Sequence, residues 1–325
     1  MNRREILAAG AAALVASQAR PAAAQAAWPD RPVTIIIPFG PGTSQDVIAR
    51  LVAPILTTRW GKPVVVQNVT GAAGTIGVER VARAAPDGHT IVLAGDAAIV
   101  VRVSMSPRPP YDPQRDLAPI TLVGRTPNVL VVSAEAPYRS VADIIAAARA
   151  QPGSITFGHA GPGTSQHIGG EMLAQMAGVQ LTGVAYNDPA AQIMDVQTRR
   201  VTMSFQSGVV ALPKVRDGSY RALAVSSATR LPSLPDVPTV AEQGLAGFEA
   251  SAWLSIYAPA ATPGPIVQRI STDMRTALND AEVKRRLDEL GVVLVASTPE
   301  ELAATIAREI PRMRGVLRAA GIQGE

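Results

Sequence analysis

The amino-acid sequence predicts an α/β protein with two lobes and a ligand-binding cleft between them. Predicted strands alternate with predicted helices along the chain, a pattern typical of sheets flanked by helices. The hexapeptide Gly-Pro-Gly-Thr-Ser-Gln occurs at 40–45 and again at 161–166, so we expect one copy in each lobe. A length of 325 residues is comfortable for two domains.

The composition is that of a globular chain and narrows the possible functions. Hydrophobic residues make up 47% and charged residues 17% of the sequence, which allows a sizeable core. The formal net charge is +4, but the basic residues are scattered and no nucleic-acid motif accompanies them, so we expect no nucleic-acid partner. Cysteine is absent, and the three histidines lack metal-ligand spacing. We therefore expect neither a metal nor a cofactor.

The N-terminus has the three parts of a secretory signal. Arg3 and Arg4 precede an apolar run over Ile6–Ala16, and Ala24–Ala26 offers a small-residue cleavage site. The run of 11 residues is well short of the roughly 20 that a membrane-spanning helix needs. We predict a signal peptide over residues 1–26 and export to the periplasm, by either the Sec or the twin-arginine route.

Both copies of the hexapeptide lie in a predicted strand–loop–helix unit. The β-branched run over 33–39 predicts a buried strand before the first copy, and 155–159 predicts a shorter strand before the second. Apolar residues at helical spacing follow from Asp46 and from Ile168. The Thr and Ser of each copy therefore stand at a predicted helix N-cap.

A loop of this kind can bind an anion. The first backbone N–H groups of a helix lack internal partners, and the helix dipole places partial positive charge there. Glycine lets the backbone approach a ligand closely, and the Thr and Ser hydroxyls add donors. Each helix end contributes roughly 0.3–2 kcal/mol toward an anion, so a carboxylate fits without Lys or Arg. The alternative is that both copies are only favourable strand-to-helix turns.

A third glycine-rich loop, Gly71–Gly77, follows the predicted strand at 64–68. Its spacing is not the dinucleotide fingerprint, so we interpret it as one more helix N-terminus beside the cleft. The remaining predicted strands lie at 90–94, 120–123, 129–133, 201–205, 222–226, 254–258 and 292–295. Predicted helices lie at 141–150, 190–198, 265–278, 281–290 and 299–319.

Short segments spread over nearly the whole chain carry a family resemblance. They include Trp28–Val33, Pro38–Gly42 with Asp46, Ala85–Gly88 and Leu234–Thr239. In this order the chain resembles the solute receptors of tripartite tricarboxylate transporters, the Bug-type periplasmic proteins.

The resemblance implies a periplasmic-binding-protein type II fold with mixed sheets flanked by helices. We place lobe 1 at 27–125 and 250–325, and lobe 2 at 126–249. The resemblance also implies a small organic acid or related anionic solute as ligand, membrane permease subunits as partners and a monomeric mature protein without enzymatic activity. A receptor that presents the same solute to a signalling partner is the alternative, and a hydrolase is a more distant one.

The residues expected to contact the ligand all lie in loops that face the predicted cleft. They are Phe39, Gly40, Pro41, Gly42, Thr43, Ser44, Asp46, Gly74, Thr75, Asp96, Ala97, Gly161, Gly163, Thr164, Ser165, His167, Tyr186, Asn187 and Asp188.

Four of these positions, Asp46, His167, Asn187 and Asp188, differ from the others in possible role or in residue type. Asp46 could receive a ligand amine or hydroxyl, or could only favour its own helix N-terminus. His167 closely follows Ser165, but neighbours on one helix turn seldom face each other and no nucleophile elbow is present, which argues against a hydrolase. The family usually has Lys-Gly where this chain has Asn187-Asp188, and Asp188 would repel a second carboxylate placed beside it.

Overall fold

The computed structural model describes residues 28–105, 110–186 and 188–319. The predicted signal peptide and Asn187 lie outside the described residues. Strands of the described chain are β1 (Val33–Ile37), β2 (Val64–Asn68), β3 (Thr90–Gly95), β4 (Leu117–Thr126), β5 (Asn128–Ser133), β6 (Thr156–His159), β7 (Thr182–Ala185), β8 (Met203–Ser207), β9 (Tyr220–Val225), β10 (Ala252–Pro259) and β11 (Val293–Leu294). Helices are α1 (Ser44–Trp60), α2 (Thr75–Ala82), α3 (Arg102–Met105), α4 (Val141–Ala150), α5 (Ser165–Ala177), α6 (Pro189–Gln197), α7 (Gly208–Arg216), α8 (Gly264–Leu278), α9 (Ala281–Glu289) and α10 (Pro299–Ala319).

One sheet has six strands in the order β11-β4-β10-β3-β1-β2. Strand β1 pairs in parallel with β2 and β3. Strand β10 is antiparallel to both β3 and β4, and β11 is antiparallel to β4. The sheet therefore joins a parallel part, built from β1 to β3, to an antiparallel part that includes the late strand β10.

The second sheet has five strands in the order β7-β6-β8-β5-β9. Strand β6 pairs in parallel with β7 and β8, whereas β5 is antiparallel to β8 and β9. Both sheets are mixed and flanked by helices, which confirms the predicted fold class.

Two neighbouring connections join the sheets. The chain leaves β4 at Thr126 and enters β5 at Asn128, with one residue between them, and it returns just before β10. Thr126 is paired with Ala252 at the start of β10. Beside this pair, the guanidinium of Arg125 lies 2.9 Å from the carboxylate of Glu249. The two connections thus run side by side.

The alternation of side chains along β1 explains how the six-stranded sheet is covered on both faces. Successive residues of a strand point to opposite faces. Ile35 and Ile37 belong to an apolar cluster that includes residues of α1 and α8. Ile36 belongs instead to the cluster that contains residues of α2 and α10. The continuous β-branched run of β1 is therefore buried from both sides, as expected for a central parallel strand.

Most elements agree with the sequence-based prediction, and the differences have local causes. Helices α4 and α10 have the predicted bounds, 141–150 and 299–319. Strand β7 was missed because it is a four-residue, mostly exposed edge strand that contains a glycine. Helix α7 was missed because it begins with Gly208 and carries Pro213 in its interior. No helix in the described ranges is long and apolar enough to cross a membrane.

Candidate functional site

The two copies of the hexapeptide form two separate loops of the same conformation. Thr43 and Thr164 precede α1 and α5 with nearly equal φ/ψ values, −69/159° and −70/155°. The hydroxyl of Thr43 donates to the carbonyl oxygen of Gly40 at 3.0 Å, and the hydroxyl of Thr164 donates to that of Gly161 at 2.8 Å. The repeated sequence is therefore also a repeated structure, which places two helix N-termini behind equivalent loops.

The residue that follows each hexapeptide closes its loop from the same position. The N–H of Gly42 donates to Oδ2 of Asp46 at 3.0 Å, and the N–H of Gly163 donates to Nδ1 of His167 at 3.2 Å. Both glycines have positive φ, 83° and 77°, which glycine adopts at no steric cost. The repeated unit is thus seven residues long, with a carboxylate closing one loop and an imidazole closing the other.

The carboxylate of Asp46 is buried and already engaged by its neighbours. Besides the Gly42 N–H, it accepts from Nε of Arg50 at 3.1 Å and from Nδ2 of Asn68 at 3.0 Å. The hydrogen bond from Arg50 is the largest of the causes that lower the pKa of Asp46 to about 2. Asp46 therefore holds its own loop, whereas a direct contact between Asp46 and the ligand stays a prediction.

Two stacked imidazoles hold the second loop. The ring centroids of His159 and His167 are 4.3 Å apart. Nδ1 of His159 accepts the N–H of Gly161 at 3.1 Å, which requires that this nitrogen carries no proton. Burial, followed by the proximity of His167, lowers the pKa of His159. Both causes keep its ring in the neutral form that this loop needs.

A third helix N-terminus meets these two loops. Helix α7 begins at Gly208, directly after Ser207 at the end of β8. The side chain of Ser207 makes no capping hydrogen bond to α7. The first turn of α7 therefore presents backbone donors that are not capped by this hydroxyl. Neither α7 nor its N-terminus was predicted from the sequence.

The three helix N-termini line one cavity of about 300 Å³, which residues of both sheets enclose. Six residues predicted to bind the ligand line it: Phe39, Ser44, Asp96, Ala97, Thr164 and Ser165. Four further polar residues of the lining were missed: Gln45, Thr126, Asn128 and Ser207. Among the described lining residues there is no Lys, Arg or His, so an anion here would be met by N–H and hydroxyl donors.

The four missed residues differ in whether a sequence motif could have identified them as lining residues. Gln45 belongs to the repeated hexapeptide and Ser207 precedes a helix, so a motif was present in both cases. Thr126 and Asn128 flank Pro127 at the connection between the sheets. No residue pattern identifies these two as lining residues, because only the pairing of strands within the sheets brings them to the cavity.

Asp96 supplies the only carboxyl group among the described residues of this lining. Burial raises the pKa of Asp96 to about 7, with a smaller contribution from the charge of Glu309. Hydrogen bonds from the backbone N–H groups of Trp253 and Ala97 oppose this rise. Near neutral pH the group therefore exists in both forms, and its protonated form can donate a hydrogen bond.

The third predicted loop, Gly71–Gly77, packs against Phe39 at the start of the first loop. A Cβ atom on Gly74 would lie 3.1 Å from the ring of Phe39 and 3.3 Å from Cβ of Ala98. Thr75 begins α2. Neither Gly74 nor Thr75 lines the cavity, so their predicted ligand contact stays untested.

The other predicted residues among the described ones do not line the cavity. The hydroxyl of Tyr186 donates to Oδ2 of Asp195 at 2.8 Å. Asp188 is exposed, and its carboxylate accepts the N–H of Ala190 at 2.9 Å at the start of α6. The remaining ones, Gly40, Pro41, Gly42, Thr43, Gly161, Gly163 and His167, form the two loops described above.

A second cavity, of about 380 Å³, differs in its chemistry. Its charged side chains already pair with each other: Arg83 lies 2.6 Å from Glu79, and Arg115 lies 2.8 Å from Asp116. None of the predicted ligand-binding residues lines it. We therefore take the cavity between the sheets as the candidate functional site. Within the described ranges, no group of three or more side chains could hold a metal ion.

Comparison with known proteins identifies related sequences. A family model described as tripartite tricarboxylate transporter family receptor matches residues 48–322. The chain is 37% identical over 318 residues to a protein of Pseudomonas sp. (strain P51) named UPF0065 protein in tcbD-tcbE intergenic region, covering 98% of this chain and 94% of the relative.

Solved structures extend the likeness to the whole fold. The periplasmic binding protein BugD is 31% identical, with a TM-score of 0.74 over 92% of this chain and 100% of BugD. Rpa4515 of R. palustris, solved with adipate, is 32% identical, with a TM-score of 0.77 over 91% of this chain and 99% of Rpa4515.

Proposed function

Because this chain belongs to the tripartite tricarboxylate transporter receptor family, we propose that it captures a small carboxylate-bearing solute and delivers it to the membrane permease subunits of a tripartite transporter. Family membership also makes the chain a solute-binding receptor and not an enzyme, as the sequence analysis expected. The ligand recorded for Rpa4515 is adipate, which supports a carboxylate as the solute of this chain.

The observation that carries the proposal is the convergence of three helix N-termini on one cavity. The lining combines the N-terminal ends of α1, α5 and α7 with the hydroxyls of Ser44, Thr164 and Ser165. Helix N-termini attract anions through free N–H groups and through the dipole. Micromolar binding requires about 8 kcal/mol. Two or three such ends, together with several charge-assisted hydrogen bonds, are sufficient for that.

We further propose that the ligand is enclosed by hinge motion. The lobes would comprise 27–125 with 250–325, and 126–249, so that both connections described above lie at the boundary. The carboxylate would bridge the loops that carry Ser44 and Ser165, one from each lobe, and closure would remove it from water. Burial strengthens each of these hydrogen bonds, because the local dielectric constant falls.

The proposed site of action is the periplasm. BugD is a periplasmic binding protein, which supports export of this chain through the signal peptide proposed at residues 1–26. N-terminal sequencing of the protein from the periplasmic fraction would test this. A mature chain that begins near Ala27 is expected, and one that retains Arg3 would contradict the proposal.

Native mass spectrometry of freshly purified protein tests the proposed function most directly. We expect a retained carboxylic acid in the wild-type protein, and calorimetric binding of adipate or of the acid so identified. Thr164→Tyr and Ser165→Tyr should abolish binding, because both side chains line the cavity. Thr276→Tyr is the matched control, since Thr276 is exposed on α8.

Urea unfolding of the same variants separates loss of the site from loss of the fold. All three should unfold close to the wild-type midpoint. If Thr164→Tyr and Ser165→Tyr bind the acid as tightly as the wild type does, the ligand lies elsewhere and the proposed site is wrong.

A further inference from the structure

One edge of the cavity is formed by Asn128 and the first turn of α7, which were not among the predicted ligand contacts. Asn128 opens β5 and is paired directly with Ser207 at the end of β8. Helix α7 follows at once, and Gly208 and Val209 of its first turn line the cavity together with Asn128. Residues paired across antiparallel strands have their side chains on the same face, about 5 Å apart. The amide of Asn128 and the N-terminus of α7 are therefore neighbours.

The side chain of Asn128 is a buried donor that lacks a partner. Asn128 is only 3% exposed, and its Nδ2 has no hydrogen-bond partner in the described part of the chain. The backbone groups of Asn128 are satisfied, since its N–H donates to Oγ of Ser226 and its carbonyl oxygen accepts the N–H of Ser226. A buried donor without an acceptor is unfavourable, so the amide is arranged for a partner that the protein does not supply.

We infer that Asn128 and the N-terminus of α7 form a second recognition subsite, which binds a hydrogen-bond-accepting oxygen at the far end of the ligand. The inference rests on the proposed function, in which the carboxylate of the ligand occupies the ends of α1 and α5. The χ2 torsion of Asn is soft, so the amide can turn Nδ2 toward the ligand before the lobes close. The ligand is then a carboxylate with a second acceptor group, such as an amide, a keto oxygen or another carboxylate.

The same edge disfavours two other ligand ends. An ammonium group would face the positive end of the α7 dipole and a second donor, which is unfavourable for a cation. A methyl group would leave Nδ2 of Asn128 buried and without an acceptor. The end group of the ligand should therefore decide affinity, even when the carboxylate is the same.

Matched acids with different end groups test the subsite on the wild-type protein. One series is butyrate, 4-aminobutyrate, succinamate and succinate, and the second is hexanoate, 6-aminohexanoate, the monoamide of adipate, and adipate. Calorimetry should show the amide- and carboxylate-ended acids of the length that fits binding about tenfold to a hundredfold more tightly than their methyl- and ammonium-ended analogues, as expected for a hydrogen bond from a desolvated donor.

Asn128→Asp tests the assigned residue, because it keeps the shape of the side chain and replaces the donor with an acceptor. In this variant the acceptor-ended acids should lose about tenfold to a hundredfold in affinity, and the ammonium-ended acid should become the better ligand. Asn279→Asp is the control with the same change of charge, since Asn279 is exposed at the end of α8. Its binding profile should equal that of the wild type.

Two different results would overturn the inference, and they are distinguishable. If acids bind to the wild type without preference for the end group, or if Asn128→Asp leaves the preference unchanged, the subsite is wrong while the carboxylate receptor stands. If no acid of either series binds, the proposed function fails and the subsite fails with it. The wild-type series decides the matter even if Asn128→Asp does not fold.

Discussion

The replacement Asp96→Asn should change the stability of the protein in a way that depends on pH. Asp96 has a pKa of about 7 in the folded chain because burial disfavours its charge, whereas an aspartate in an unfolded chain titrates near 3.9. Folding therefore raises the pKa by about three units, which corresponds to about 4 kcal/mol. Asn keeps a neutral side chain of the same shape at every pH.

The sign of the effect follows from proton linkage. Since the pKa of Asp96 is higher in the folded state, its contribution to stability is fully present below about pH 4 and is lost as the pH rises through 7. The wild type should lose stability relative to Asp96→Asn by at most about 1.4 kcal/mol per pH unit over this window. The variant is thus expected to match the wild type near pH 4 and to exceed it by up to about 4 kcal/mol at pH 8.

Urea unfolding at pH 4.5, 6 and 8, followed by tryptophan fluorescence, measures this difference. Asp236→Asn is the matched control, because Asp236 is exposed and loses the same charge without any change in burial. Its effect on the free energy of unfolding should be small at all three pH values. An advantage of Asp96→Asn that is equal at pH 4.5 and pH 8, or a variant less stable than the wild type at pH 8, would refute the reasoning.

Three further predictions concern the loops and the closure of the cavity. Gly163→Ala should cost at least about 1 kcal/mol more stability than Gly42→Ala in urea unfolding. Both positions have positive φ, but only at Gly163 would a Cβ meet a methionine sulfur, at 3.1 Å. Equal losses of stability would contradict this. Gly208→Ala should weaken ligand binding in calorimetry, since a Cβ there would lie 3.3 Å from Cα of Gly291, which also lines the cavity. The unfolding midpoint should not fall, because Ala favours a helix. Unchanged affinity would show that closure does not need this contact. Because the pKa of His159 is lowered in the folded chain, its contribution to stability is fully present above about pH 6.5 and is lost as the pH falls. The Tm of His159→Gln should therefore fall less than that of the wild type between pH 7 and pH 5. Parallel Tm-against-pH curves for the two proteins would exclude a role of neutral His159 in stability.

Much of the fold was readable because the pattern of each element is local. The β-branched run of β1 predicted a strand that is buried on both faces, and the helix bounds at 141–150 and 299–319 were correct. Helix α7 shows the limit of this approach, since Gly208 and Pro213 both disfavour a helix. Packing of its apolar residues against the five-stranded sheet outweighs that weak local preference.

The repeated loop could also be predicted from the sequence, but the side-chain hydrogen bonds that close each copy could not. The hexapeptide predicted two equivalent helix N-termini, and the structure gives Thr43 and Thr164 the same conformation. That Asp46 and His167 close their loops from the same position is visible only in the hydrogen bonds. Distances between side chains depend on rotamers and on neighbours such as Arg50, which no spacing rule contains.

The sequence by itself determined the α/β class, the two equivalent loops before α1 and α5 and the family resemblance, because each of them depends on residues that are close together along the chain. Only the tertiary structure decided which residues share the cavity. Asn128 and the first turn of α7 meet the two loops because β5 and β8 pair in one register, and Asp96 acquires its raised pKa because residues distant in sequence bury it. Pairing and burial arise from long-range packing, so the composition of the site could be known only once the two sheets were in place.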